Sequence, residues 1–436
     1  MPAKQIAFIV TFLISTGLFA FTAIRILKII GISQKQPVRT DKILHRSLHT
    51  LKVAIAQVKI LRKPVAGTLH ALTFWGFIVI TAGTIEMMID GIAGTERIFG
   101  FLGPAYSFMT ASGEIFAALI ILAGVIFLCR RYFTKPKRFT SPEMKPSSRT
   151  DATVIIMMIL LLMFSLLGMN AAYLEIATKV DGTFPVSQAI IAAGFQFGDS
   201  KDLLHEVCWW IHIGLVLLFL NILPYSKHFH VILSVPNVFF RSLEPAGKLP
   251  LDMAVAKEVK QMLSDPYGAP PAAESASVPQ RFGIRDVEDA SWKNIVDSYT
   301  CTECGRCSSV CPANITGKKL SPRKLFIDLR QRVSKKGPML IKNRSHDDGK
   351  RIFDWITPEE LWACTTCGAC MQECPVDIEH VPFIVSMRQY LVMEESAAPA
   401  ALNSMFQNIE NNGAPWAMSA SSRFDWANGI EMTVTK

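Results

Sequence analysis

Two cysteine runs of identical spacing occupy the second half of the chain. The first is Cys301-Thr-Glu-Cys304-Gly-Arg-Cys307-Ser-Ser-Val-Cys311-Pro, and the second is Cys364-Thr-Thr-Cys367-Gly-Ala-Cys370-Met-Gln-Glu-Cys374-Pro. Both read C-x₂-C-x₂-C-x₃-C-P, which is the spacing that holds 4Fe–4S clusters. The sequence therefore predicts two such clusters, and any fold of this chain must bring eight thiols together.

The spacing also predicts which cysteines share a cluster. Three closely spaced thiolates suit three corners of one cubane, and the proline directs the fourth cysteine toward the other cluster. We expect one cluster on Cys301, Cys304, Cys307 and Cys374, and the second on Cys364, Cys367, Cys370 and Cys311. Zinc is the alternative, because C-x₂-C pairs also bind zinc. Its four ligands often come as two separated pairs, which matches these repeated runs less well.

The cysteine and charge distributions limit the class of protein. Eight of the ten cysteines among 436 residues lie in the two runs, which is not a disulfide framework and indicates a reducing compartment. The net charge of +9 is concentrated in two loops between apolar segments. This distribution indicates a membrane topology signal and argues against nucleic acid as a partner.

Five apolar stretches fill the first half of the chain. Each approaches or exceeds the roughly 20 helical residues that cross a hydrocarbon core of about 30 Å. They cover residues 6–30, 68–89, 106–129, 152–176 and 203–223. Lysines and arginines crowd the loops after the first and third stretches, and only Arg97, Lys179 and Lys201 lie in the alternate loops. The positive-inside rule then predicts a multi-pass protein of a bacterial-type inner membrane, with its N-terminus outside and its cysteine runs in the cytoplasm.

Histidines inside the apolar stretches are candidate haem ligands, because intramembrane ionisable residues are rare and usually functional. We expect His70 and His230 to bind one haem b axially from facing helices. On a continuous helix His212 and His230 share a face, since 18 residues make five turns. His212 or His205 would serve a second haem, for which the second span offers no matching histidine. Structural or interfacial roles are the alternative for all four.

The segment between the runs indicates a helical rather than a βαβ ferredoxin. Ser321-Pro322 and Thr357-Pro358-Glu-Glu360 are helix-start patterns, and Gly337 is expected to end the first of these helices. We therefore expect a mainly α protein with a five-helix transmembrane bundle and an α-helical domain for two 4Fe–4S clusters. The expected domains are a bundle over 1–240, a surface segment and linker over 241–281, a ferredoxin domain over 282–395 and a partner-docking tail over 396–436.

The cysteine-rich half resembles iron–sulfur subunits of the heterodisulfide reductase class, together with related oxidoreductases for electron-transfer flavoprotein and glycerol 3-phosphate. The resemblance rests on the first run, on Leu361-Trp-Ala-Cys364 with the second run, and on Asn411-Asn-Gly-Ala-Pro-Trp416 and Arg423-Phe-Asp-Trp-Ala427. Many fused relatives continue into Cys-Cys-Gly repeats that carry the substrate chemistry. Because this sequence stops at Lys436, the resemblance implies a separate cytoplasmic subunit with those repeats, or an electron-transfer flavoprotein, as the redox partner.

The membrane half is similar to the cytochrome b subunit of respiratory nitrate reductase. The likeness covers the five spans and the segment Leu223-Pro-Tyr-Ser-Lys-His-Phe-His230-Val. It implies that His230 and His70 bind the haem on the cytoplasmic side. The residue matching His212 serves a second haem in that family, but the position near Ile80 that should pair with it is apolar.

These expectations combine into one functional hypothesis. The chain is expected to be an electron-transfer subunit of a membrane oxidoreductase complex, relaying electrons between a cytoplasmic redox partner and quinone through two 4Fe–4S clusters and haem b. Two other interpretations remain open: a haem-free membrane anchor for a ferredoxin domain, and an iron–sulfur redox sensor.

Overall fold

A computed structural model describes residues 2–34, 36–245, 247–249, 251, 253–264 and 281–430. The fold is helical, and these residues contain no β-strand, only one isolated bridge between Gln34 and Ser291. This confirms the mainly α class. The helices are α1 Ala3–Ile32, α2 Ile43–Thr50, α3 Val58–Leu61, α4 Pro64–Ala93, α5 Pro104–Cys129, α6 Lys137–Thr140, α7 Pro146–Ile176, α8 Pro185–Ala192, α9 Lys201–Ile222, α10 His230–Phe239, α11 Met253–Ser264, α12 Trp292–Thr300, α13 Arg306–Ser309, α14 Pro312–Ile315, α15 Pro322–Lys342, α16 Pro358–Trp362, α17 Ala369–Glu373, α18 His380–Met393 and α19 Ala400–Asn412.

Five helical segments are long and apolar enough to span a membrane, as the sequence predicts. They are Ala3–Ile32, Pro64–Ala93, Pro104–Thr134, Pro146–Ile176 and Gly198–Tyr225. Helix α7 packs against α5 and α9 and is the most buried of the five. Close contact depends on small residues: a Cβ on Gly76 of α4 would lie 2.7 Å from Cδ1 of Ile120 on α5.

The chain divides into two compact units, and one of them contains both the bundle and the cysteine-rich segment. One unit comprises residues 1–249 and 286–383, and the other comprises 250–285 and 384–436. Inside the second unit, the Ile284 amide donates to the Ser386 carbonyl at 3.0 Å. The domain boundaries expected from the sequence stay a prediction, and the part of the expected linker over 265–280 lies outside the described residues.

The cysteine-rich segment contacts one end of the bundle, here called the basic end, which carries loops 33–63 and 135–145 and residues 226–241. Arg323 of α15 donates to the Arg138 carbonyl at 2.6 Å and to Glu143 at 2.7 Å. The buried amide of Asn237 on α10 donates to Asp297 at 2.9 Å and to the Val376 carbonyl at 2.7 Å. These contacts fix both cysteine runs relative to the spans.

Helix α15 differs from its expected length for a physical reason. It starts at Pro322 as predicted, but it continues through Gly337 to Lys342, so the predicted end was wrong. A Cβ on Gly337 would lie 2.8 Å from Cδ1 of Ile29 on α1. The glycine therefore permits close packing between α15 and α1 instead of stopping the helix. The predicted start at Thr357 is confirmed by a capping box with Glu360.

Candidate metal centres

The two cysteine runs adopt the same backbone path. Glu303 and Thr366 occupy equivalent positions and both have φ of 56°, and the following Gly305 and Gly368 have φ of 72° and 73°. Each run then forms a short helix, α13 or α17, and these two helices contact each other. Left-handed φ values are costly for residues other than glycine, so their repetition in both runs indicates a tightly specified loop.

The electrostatic interactions among the thiols favour two groups, each drawn from both runs. The thiols that act on Cys307 are those of Cys304, Cys374, Cys301 and, most weakly, Cys370, and those that act on Cys370 belong to Cys364, Cys311 and Cys367. We call Cys301, Cys304, Cys307 and Cys374 the first thiol group, and Cys364, Cys367, Cys370 and Cys311 the second thiol group. This is the arrangement that cross-ligation of two clusters requires.

The thiol environments suit a positively charged centre. Burial raises the pKa of Cys301 to about 11 and that of Cys370 to about 12, so compensating positive charge is needed for thiolate to persist there. Backbone amides of Thr366 and Ile378 donate to the sulfurs of Cys364 and Cys374, each at 3.4 Å. Such N–H···S bonds are among the features that set cluster potentials. Among the described residues, no three His, Cys, Asp or Glu side chains converge to hold a single metal ion. A 4Fe–4S cluster does not require this, because its four cysteines bind different iron atoms.

A half-buried arginine lies beside the first thiol group. Arg138 interacts electrostatically with Cys304, and its buried Nε has no hydrogen-bond partner among the described residues. Arg330 donates from Nη1 to the Cys301 carbonyl at 3.0 Å and contacts Glu303. A donor left unpaired at this position fits an acceptor that the protein atoms do not supply, such as a cluster sulfide. The first thiol group thus has cationic neighbours.

The two groups differ in their access to solvent. Cys301, Cys307 and Cys374 are buried and Cys304 is half-buried, whereas Cys367 of the second thiol group is exposed. Arg306, between Cys304 and Cys307, donates to the carbonyls of Lys59 and Ile60 at 2.8 and 3.1 Å. The first thiol group therefore adjoins the basic end of the bundle, and the second has access to solvent.

His70 and His230 both lie near the basic end. His70 acts electrostatically on His230, and the groups that act on His70 are Arg306 and His228. Nδ1 of His230 is 3.0 Å from the Lys227 carbonyl, and Nδ1 of His70 is 3.2 Å from the Gln57 side-chain oxygen. If each Nδ1 carries the proton, each Nε2 keeps a free lone pair, as a metal-binding histidine requires. Burial lowers the pKa of His230 to about 3, so its ring is neutral at neutral pH.

The path from His212 to His230 is not the continuous helix on which the phase argument depends. Helix α9 ends at Ile222, two short 3₁₀ turns follow at Leu223–Tyr225 and Lys227–Phe229, and α10 begins at His230. The phase argument was therefore wrong, because Pro224 interrupts the helix.

His205 and His212 occupy the opposite end of the bundle. Both line a cavity of 220 Å³, called the far-end cavity, with Ile80 and Glu86 among its other walls. Nδ1 of the buried His212 is 3.0 Å from the Leu162 carbonyl and 3.2 Å from the Ser165 hydroxyl. Both histidines belong to α9, and no other histidine lines this cavity among the described residues. The arrangement provides no facing pair there.

The fold and the paired thiol groups define a membrane protein with a ferredoxin-type iron–sulfur domain, and comparisons with known proteins agree. Residues 300–378 match the model of the 4Fe-4S dicluster domain family. The chain is similar to the EtfAB:quinone oxidoreductase of Syntrophomonas wolfei, with 27% identity over 98% of this chain and 60% of that protein. It is similar also to the probable iron-sulfur-binding oxidoreductase FadF of Bacillus subtilis, with 30% identity over 97% of this chain and 61% of the relative.

A third relative supports membrane attachment. The probable membrane-anchored ferredoxin of Chromohalobacter salexigens is 24% identical over 85% of this chain and 50% of its own length. Heterodisulfide reductase subunits of Methanosarcina are also homologues, which confirms the resemblance of the cysteine-rich half. No solved structure matches the chain. The chain spans about 60% of the length of the first two relatives, and its likeness to nitrate reductase cytochrome b stays a prediction.

Proposed function

We propose that this chain relays electrons between a cytoplasmic redox partner and the membrane quinone pool. In the proposal, each thiol group holds one 4Fe–4S cluster, and His70 and His230 hold one haem b. When bound, these groups supply one-electron transfer. The basic end faces the cytoplasm in this proposal, because the loops that define it carry most of the lysines and arginines between the spans.

The observation that carries the proposal is the position of Arg306. This residue belongs to the first cysteine run, donates to the carbonyls of Lys59 and Ile60, and lies within electrostatic range of His70. One side chain therefore links the first thiol group with the histidine pair across the surface of the bundle. This supports a path in which the second thiol group exchanges electrons with the partner and the first exchanges them with the membrane.

The exposed Cys367 supports the same order of electron transfer, in which the second thiol group faces the soluble partner. Electron transfer to a soluble partner needs a redox group near the surface, and of the two thiol groups only the second contains an exposed cysteine. The name of the Syntrophomonas relative includes EtfAB and quinone. We propose for this chain either an electron-transfer flavoprotein or a subunit with Cys-Cys-Gly repeats as the cytoplasmic partner, and a quinone as the membrane partner.

The proposed haem number is one. His70 and His230 come from two different helices, and His70 acts electrostatically on His230. His205 and His212 lie on the same helix, and among the described residues no other histidine lines the far-end cavity. The likeness to nitrate reductase cytochrome b implies the same pair, and the partner that His212 would need for a second haem has no counterpart near Ile80. The test is a reduced-minus-oxidised optical spectrum of purified protein, with extracted haem counted per chain.

Variants make this test specific. We expect about one haem b per chain in the wild type. Both His70→Ala and His230→Ala should lose this haem and retain the EPR signals of the clusters. The control is His346→Ala, because His346 lies in the loop after α15, outside the histidine pair. Low-spin haem retained in both variants would refute the pairing, and clusters without haem in the wild type would reduce the bundle to an anchor for a ferredoxin.

A further inference from the structure

A second cavity lies at the basic end, where the bundle meets the cysteine-rich segment. Its volume is 500 Å³, and we call it the interface cavity. Helix α1 contributes Arg25 and Ile29, the start of α7 contributes Asp151, and the cysteine-rich segment contributes Glu303 and Arg330. All of these residues belong to the same compact unit.

The interface cavity is adjacent to both proposed redox sites. Arg330 on its wall donates to the Cys301 carbonyl at 3.0 Å, which connects it to the first thiol group. Lys227 is another wall residue, and its carbonyl is 3.0 Å from Nδ1 of His230. A molecule in this cavity is therefore one residue away from each of the two sites that would exchange electrons with it.

The walls combine an apolar side with hydrogen-bond donors. Ile26 and Ile29 of α1 and Ile327 of α15 form buried apolar surface. Arg25 donates to the Tyr225 hydroxyl at 3.2 Å, and its guanidinium lies 5.8 Å from the centre of the Tyr225 ring. Tyr225 is 69% exposed, so the cavity is accessible where the fifth span ends. Apolar pockets with a few directed polar groups are the usual sites of small organic ligands.

An acid–base pair lies at the same cavity. Asp151 lines it, and its carboxylate is 3.5 Å from Nδ1 of His228. The Ser226 hydroxyl donates to Asp151 at 2.9 Å and lies 2.8 Å from the same histidine nitrogen. A carboxylate, a hydroxyl and an imidazole in hydrogen-bonding range can pass a proton to or from a bound ligand.

We propose that the interface cavity binds the ring of a quinone, which rests on the proposed function and locates its membrane partner. The quinone carbonyls would accept hydrogen bonds from Arg25 and Lys227, and the apolar walls would contact the ring. Reduction of one quinone to quinol takes two electrons, supplied by the reduced cytoplasmic partner, and two protons, supplied through Asp151 and His228. The two ring carbonyls become hydroxyls.

The position of the cavity favours a quinone over a phospholipid headgroup, because it adjoins both proposed redox sites. Its charges do not decide between them, since the three lining carboxylates are accompanied by the cations Arg25, Lys145, Lys227, Arg330 and Lys335. The far-end cavity also contains polar groups, but its described lining includes no residue of the cysteine-rich segment, whereas Glu303 and Arg330 line the interface cavity. The interface cavity is thus the site that combines ring contacts, proton transfer and proximity to the redox groups.

The test uses the full-length chain in phosphatidylcholine nanodiscs with a photoreactive azido-naphthoquinone as the probe. We expect cross-links on peptides containing Arg25 and Tyr225, and an increase of at least tenfold in the probe's dissociation constant in Arg25→Leu and in Lys227→Gln. Arg25 is half-buried, so its variant tests the site even if the Lys227 variant does not fold. The matched control is Glu86→Gln in the far-end cavity, which should stay within twofold of wild type.

Different failures have different meanings. Cross-links confined to the Glu86 region, or unchanged affinity in a folded Arg25→Leu variant, would overturn this site and leave the relay to quinone intact. Complete displacement of the probe by added phosphatidylglycerol would assign the cavity to a phospholipid headgroup and overturn the site. No cross-link at all, in samples whose EPR spectra show both clusters, would overturn both the site and the quinone part of the proposed function.

Discussion

Arg323 and Glu143 form a buried ion pair, 2.7 Å between Nη2 and Oε1, that ties the helix after the first cysteine run to the loop after the third span. Arg323 is 1% exposed, whereas the nearby Lys319 side chain is 66% exposed. The pair holds the first thiol group against the basic end of the bundle.

Breaking this pair should destabilise the unit strongly. Arg323→Met leaves Glu143 buried without its cation, which typically costs about 3 kcal/mol or more. The measurement is the thermal unfolding midpoint in detergent. Lys319→Met is the control, because the Lys319–Glu359 pair is exposed on both sides and should contribute nothing measurable. Equal midpoints for the two variants would contradict the role assigned to Arg323.

Cross-ligation predicts that replacing the fourth cysteine of one run removes the cluster held mainly by the other run. Cys311→Ala should remove the cluster of the second thiol group and leave that of the first, because Cys311 acts electrostatically on Cys370. Cys374→Ala should do the reverse. EPR spectra of dithionite-reduced protein, with iron counted per chain, distinguish the two clusters. Selective loss of the cluster in the mutated cysteine's own run would refute the assignment.

Arg138 should raise the potential of one cluster. Its guanidinium interacts with Cys304, and removing a positive charge disfavours the reduced, more negative cluster. Arg138→Gln is expected to lower the midpoint potential of the first-group cluster by tens of millivolts, on the order expected for one partly screened charge. A potentiometric EPR titration measures it, with Lys342→Gln at the exposed end of α15 as the control. An equal shift of both clusters would show that Arg138 does not act locally.

His380 should make stability depend on pH. Burial lowers the pKa of His380 to about 3, and its Nδ1 lies 3.1 Å from the Ile378 carbonyl. In the unfolded chain the pKa of this histidine is near 6.5. Below that pH its ring is protonated in the unfolded state and stays neutral in the folded state. Stability from this group is present above pH 6.5 and falls by about 1.4 kcal/mol for each further pH unit until about pH 3.

The measurement is the unfolding midpoint between pH 7.5 and 5. His380→Asn should show a flatter dependence than wild type over this range. The control is His346→Asn, since His346 lies in a surface loop outside the core. Identical slopes in wild type and His380→Asn would mean that the ring titrates normally in the fold.

The sequence alone was sufficient to predict those parts of the structure that local residue spacing determines. The five spans follow from the lengths of the apolar stretches, and the helix start at Thr357 follows from its capping residues. The partners of the thiol groups were not predictable, because Arg138, Lys59 and Arg330 reach the cysteines through contacts between distant segments. The position of His230 was not predictable either. It depends on the direction of the chain after Pro224, which is set by packing and not by a local sequence pattern.

Docking of the cysteine-rich segment has a consequence for biogenesis. Lys59 donates to the Cys374 carbonyl across 315 residues of sequence, so this contact forms only after all five spans and both cysteine runs have been synthesised. Three of the four cysteines of the first thiol group are buried in the docked state. We therefore expect iron insertion to precede docking, and accessory proteins to meet these cysteines on a nascent, undocked segment. Iron uptake by purified, metal-free protein as rapid as uptake by a fragment lacking the bundle would contradict this order.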